Sequence, residues 1–248
     1  MADLVVRRER LQHILMVIEP LMLIIAPAVL VFCAIKKIEN PVLLTTAIAI
    51  MTFIPFVFRF ELKRPKPADI MPIAVLSAAA IVGRIAFVAI PNVQPVSAIV
   101  IFTGIWFGRQ SGYLTGAFTA LVSNMALGQG MWTPWQMYAW GLMGYLAGVL
   151  FERAADDGFR RKTQRIGVYV FGGFSAALFS IIMDVWFIIG FLTDLSYKSM
   201  LAAFGAGLSL NSLHIVATVI FLVLMLKPWG KKIRRIKQKY NKTATDTL

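Results

Sequence analysis

Ile70-Met-Pro-Ile-Ala-Val-Leu-Ser-Ala-Ala-Ala-Ile-Val-Gly-Arg-Ile-Ala-Phe-Val-Ala-Ile90 holds a single charged residue, Arg84. A helix rises about 1.5 Å per residue, so a run of this length crosses the roughly 30 Å apolar core of a bilayer. Seven further apolar runs lie at residues 11–35, 41–58, 96–107, 112–127, 135–151, 168–189 and 201–226. Those at 96–107 and 112–127 are short for a span and read as two brief helices joined at residues 108–112. Broken backbone is tolerated where it borders a cavity rather than lipid. The composition agrees: of 248 residues, 58% are hydrophobic and 15% charged, with mean hydropathy +0.74. Soluble domains run about half apolar and a quarter charged. The expected fold is all-α, a polytopic membrane helix bundle of about eight spans.

Apart from Arg84, the Lys and Arg behind the net charge of +13 lie in short pieces outside the apolar runs. With the N-terminus inside, the inner pieces carry 21 Lys and Arg, and the outer pieces carry Lys36, Lys37 and Lys198. This asymmetry predicts both termini in the cytoplasm. Basic and aromatic residues do not interleave, so a nucleic-acid surface is excluded. Arg7, Arg8 and Arg10 precede a first run too long for a signal peptide, which reads as a retained helix. The expected organisation is a two-helix hairpin (1–60), a basic linker with Pro65 and Pro67 (61–69), a six-helix domain (70–227) and a basic tail (228–248), read as a topology anchor on anionic lipid that ends in a frayed polar extension.

Several chemistries lack their residues. The phosphate-loop, HExxH, CxxC and GxSxG patterns are all missing. His13 and His214 are the only histidines and Cys33 the only cysteine, so neither a metal site nor a bound cofactor is expected. Glu19 and Asp184 are the only acidic residues within runs, a thin proton relay. No catalytic residue set stands out, and an enzyme is not expected.

Other residues point to ligand and partner. Ala74 and Ala78, and again Ala79 and Gly83, have the small-xxx-small spacing that lets a second helix approach, within this chain or from a partner. Gly144 and Gly148 form a GxxxG read as internal packing. Arg84 is costly inside a bilayer; it snorkels outward, pairs with an acid such as Asp184, or holds a ligand carboxylate or phosphate. Asn124, Gln129 and Gln136 accompany Trp132, Trp135, Tyr138 and Trp140 in the most distinctive stretch of the chain. Aromatics at a membrane interface form a belt, but a belt does not require amides, whereas a binding site uses both. Asn92 and Gln94 cap the preceding outer loop. Asn211 and His214 share a helix face, and Asp194 and Tyr197 lie in the last outer loop.

Residues 74–84, Pro91-Asn-Val-Gln-Pro-Val96, Gly128-Gln-Gly-Met-Trp-Thr-Pro-Trp-Gln136 and Gly141-Leu-Met-Gly-Tyr-Leu-Ala-Gly148 resemble the substrate-binding S components of energy-coupling-factor (ECF) vitamin transporters. The resemblance covers about 70–226; the N-terminal hairpin departs from it. It implies a prokaryotic plasma-membrane subunit that captures one vitamin near the outer face. It also implies docking through Ala74 and Ala78 on a transmembrane coupling subunit powered by two ATPase subunits. The chain looks most like the cobalamin-type members, so the implied ligand is cobalamin, with Arg84, Asn92, Gln94, Asn124, Gln129, Trp132, Trp135, Gln136, Tyr138, Asp184, Asn211 and His214 as candidate binding residues. Alternatives are another vitamin (pantothenate, riboflavin, folate) or a stand-alone secondary carrier.

Overall fold

The computed structural model describes residues 2–36, 41–192 and 195–245. Among them are eight helices and no strand: α1 (Ala2–Lys36), α2 (Pro41–Leu62), α3 (Pro67–Ala86), α4 (Val96–Phe107), α5 (Arg109–Leu127), α6 (Thr133–Asp156), α7 (Lys162–Phe191) and α8 (Tyr197–Thr245). Five of them, α1, α2, α3, α7 and α8, are long and apolar enough to cross a membrane. Their outer faces carry exposed apolar side chains such as Val17, Leu43, Phe174 and Leu224, a lipid-facing pattern.

α4, α5 and α6 fill the centre. The twelve residues of α4 are buried from Val96 to Trp106 and measure about 18 Å, too little to span alone. α5 and α6 bury Thr, Ser, Asn and Gly among their apolar residues, so their hydropathy is low although much of each is buried. The expected joint at 108–112 contracts to Gly108, whose φ of 88° breaks the helix between Phe107 and Arg109. α5 and α6 then pack almost backbone to backbone: a Cβ added to Gly144 would stand 2.3 Å from the Gly112 carbonyl oxygen.

Several boundaries differ from the sequence reading, as at α6, which runs on to Asp156, and α7, which starts at Lys162. The expected helix at 70–90 ends at Ala86, and residues 87–92 turn before Pro95. α8 continues as helix to Thr245 through the basic tail, expected to fray at its end. Lys and Arg are good helix formers when solvated.

Polar contacts tie the hairpin α1–α2 to the rest. Buried Arg59 on α2 donates to Glu19 on α1. Gln110 of α5 donates to the Phe56 carbonyl at 3.1 Å. Tyr138 of α6 donates to the Leu23 carbonyl at 2.6 Å, and the Tyr113 and Phe56 rings stack. Two ends result. The basic end carries the α2–α3 linker, Gly108 and the α6–α7 turn; the far end carries residues 87–95 and 128–132 and the junction of α7 and α8.

Candidate functional site

At the far end, α3, α4, α6, α7 and α8 surround a cavity of about 290 Å³. Its floor is aromatic. Trp140 stacks on Phe179, with ring centroids 4.9 Å apart, and the Phe179 ring meets the edge of His214 at 5.0 Å. Trp140 Nε1 donates to Ser97 Oγ at 3.0 Å, and Ser97 shares a 2.7 Å hydrogen bond with His214 Nε2. Trp140 Nε1, Ser97 Oγ and His214 Nε2 thus satisfy one another within the floor.

Arg84 forms one wall. It lies in the last turn of α3, where the helix dipole favours a cation. Its guanidinium sits 4.9 Å from the Trp140 ring centre and donates to Ser123 and, at 2.7 Å, to Asn124 Oδ1. Its buried Nε has no hydrogen-bond partner among the described residues. The direction of this network has a consequence. Because Asn124 accepts from Arg84 through Oδ1, its amide nitrogen must donate, and it does so to Thr133 Oγ1 and Gln136 Oε1, both at 2.8 Å. The Gln136 amide nitrogen is then left as a donor. One side of the cavity thus presents donors.

The opposite wall presents acceptors. Asn211 donates to Asp184 Oδ2 at 2.7 Å, which leaves the Asn211 oxygen and the other carboxylate oxygen. Asn92, in the left-handed region at φ 59°, donates to the Leu210 carbonyl at 2.9 Å and keeps its own oxygen. The anticipated Arg84–Asp184 pair does not form: each has amide or hydroxyl partners, and no described carboxylate pairs with Arg84.

Seven of the anticipated binding residues line this cavity: Arg84, Asn92, Gln94, Gln136, Asp184, Asn211 and His214. Five do not. Asn124 lies behind Arg84 and Gln136 and holds both. Gln129 donates to the Leu121 carbonyl. Trp132 is 39% exposed and lies over Gly130. Trp135 is wholly buried against Tyr138, whose hydroxyl is spent on α1. The reason is helical phase: Gln136 and Trp140, four apart, share the cavity face of α6, while Trp135 and Tyr138 lie off that face, Tyr138 on the Leu23 carbonyl of α1. Trp140, noted in the aromatic stretch but not among the candidate ligands, also lines the cavity, as do Ser97, Phe179, Met183 and Gly207, which were not anticipated. Stepping four residues from Gln136 reaches Trp140, and four back from Asn211 reaches Gly207. Asp194 lies outside the described residues, and Tyr197 is an exposed surface residue.

Ala74 and Ala78 are exposed along an apolar groove of about 450 Å³, walled by Val57 and Phe60 of α2 and Leu114 and Phe118 of α5. Among the described residues no cluster of His, Cys, Asp or Glu could hold a metal ion.

A family model described as ECF-type riboflavin transporter, S component, matches residues 66–232, more than half of the chain. The match begins at the α2–α3 linker and leaves α1 and α2 outside it. No curated protein and no solved structure matches the chain.

Proposed function

This chain belongs to the ECF-type riboflavin transporter S component family, and on that premise we propose that it captures one flavin-sized vitamin in the far-end cavity, facing the cell exterior. S components are transport subunits of multi-pass membrane complexes, not enzymes, and membership implies association with the ECF coupling and ATPase subunits. The observation that carries the ligand reading is the polarity of the cavity. A flat heteroaromatic ring can lie against Trp140, Phe179 and His214. Its carbonyl oxygens meet donors from Arg84 and Gln136, and a hydroxylated tail meets acceptors on Asp184, Asn211 and Asn92. The 21-to-3 charge asymmetry supports an outward-facing cavity.

Riboflavin is the first ligand on this reading. Cobalamin has less support: Trp132, Trp135 and Gln129 do not line the cavity, the volume of about 290 Å³ is small for a corrinoid, and the matching family is of the riboflavin type. Docking on the coupling subunit falls to the groove that exposes Ala74 and Ala78, where small side chains permit close helix approach.

The test is a titration of the purified chain with riboflavin, cobalamin, pantothenate and folate. The expected result is saturable riboflavin binding with Kd below about 1 µM, or roughly 8 kcal/mol. Tight cobalamin binding, visible as a coloured protein, would replace the ligand and keep the site. No saturable binding to any vitamin would overturn the reading, and uptake into vesicles that contain no ATPase would favour a secondary carrier.

A further inference from the structure

We propose that the basic end holds a seat for a phosphate-bearing anion, either an acidic lipid headgroup or soluble phosphate, between α4, the α6–α7 turn and α8. A cavity of about 160 Å³ opens there, lined by Arg165, Lys227, Lys231 and Arg234 together with Trp106 and Phe159. No described carboxylate lines it. Three of the four cations succeed one another at i, i+4 and i+7 along α8, a spacing at which like charges repel. They share the face of α8 that carries Gly230, and that face packs on Trp106. The neighbouring cations Lys232 and Arg235 do not line the cavity. Lys227, Lys231 and Arg234 are exposed, so an incoming anion can reach them.

Trp106 supplies an independent sign. It is 3% exposed, lines this cavity, and its indole Nε1 has no hydrogen-bond partner among the described residues. A buried donor without an acceptor is costly and uncommon. Nε1 is itself fully buried, so a phosphate oxygen would accept from it after a small turn of the indole, while the arginines engage the other oxygens. Two glycines give these groups room. A Cβ on Gly230 would stand 2.6 Å from the Trp106 ring, and one on Gly158, at φ 75°, would stand 2.1 Å from the Arg234 guanidinium. An orphan donor and four cations around one small cavity match the charge and hydrogen-bond capacity of a phosphate group.

The test places the full chain in nanodiscs of phosphatidylcholine, with and without phosphatidylglycerol, and reads the melting temperature. Two double variants remove the same charge: Lys231→Gln with Arg234→Gln inside the cavity, and Lys232→Gln with Arg235→Gln beside it. Phosphatidylglycerol is expected to raise the melting temperature of the wild type and of the outer variant by several degrees, and that of the cavity variant hardly at all. Inorganic phosphate titrated against the chain in neutral detergent separates the sources: an equal rise assigns the seat to soluble phosphate, and a rise with lipid alone assigns it to a headgroup. Trp106→Phe keeps the packing and removes only the N–H, so it should require several-fold more anion for the same rise. No response of the wild type to either probe, equal loss in the two double variants, or an unchanged response in Trp106→Phe overturns the seat.

Discussion

Arg84 shows how a single residue can be read correctly in kind and incompletely in detail. A cation in the outer half of an apolar run signals a partner or a ligand, but the run does not say which. The structure gives it hydroxyl and amide partners and a tryptophan face, with one buried N–H left over. Replacing it by methionine keeps the volume and removes the donors. We expect vitamin binding to weaken by about 2 kcal/mol, roughly thirty-fold, in a titration of the variant. An affinity within two-fold of wild type would reduce Arg84 to a structural role. Trp132 and Trp135 drew notice because tryptophan beside glutamine looks like a site, yet their direction depends on where α6 starts. Trp132→Ala should leave affinity unchanged. Trp135→Ala should lower the melting temperature, since truncating a wholly buried tryptophan costs about 3–5 kcal/mol. Weakened binding in Trp132→Ala without a change in melting would return Trp132 to the binding site.

Among the helices, the apolar runs announced all eight, because a run without charges has few alternatives in lipid. Their ends were less legible. Ala86 closes α3 four residues before its apolar run stops, since the next residues form a turn that includes Asn92 rather than a polar stretch. The burial of α5 and α6 was likewise hidden, because helices surrounded by protein need no lipid-facing apolar surface. Their glycines mark it instead. Gly144→Ala should destabilise the bundle by about 1–3 kcal/mol, because the added Cβ meets the Gly112 backbone, which cannot yield as a side chain can. Gly205→Ala, with open space around it, should be neutral or slightly stabilising. Unfolding midpoints in detergent separate the two, and equal effects would contradict the close crossing. For α3, Ala78→Trp should abolish co-purification with a coupling subunit and leave vitamin affinity intact. A complex that survives would move docking to another face.

Across the molecule, the two ends divide the labour. The far end offers an aromatic floor between donor and acceptor walls, and the basic end gathers the charge that favours one topology. This polarity was legible in the sequence because charge location survives without knowledge of packing. The cavity itself was not, since it joins residues of five helices and depends on their relative rotation. The hairpin α1–α2 lies outside the family match, yet it is anchored through Glu19, Arg59 and the Leu23–Tyr138 contact. It adds a wall to the Ala74–Ala78 groove without entering the far-end cavity. Everything proposed for the vitamin rests on its seat being the far-end cavity and no other part of the chain. Gly207→Phe probes that seat, because a side chain at Gly207 points toward Asp184 and Asn211 and would fill the space. Equilibrium binding of riboflavin to this variant should fall by at least about a hundred-fold, or roughly 3 kcal/mol, while its melting temperature stays near that of the wild type. Wild-type affinity in a well-folded Gly207→Phe protein would place the vitamin elsewhere.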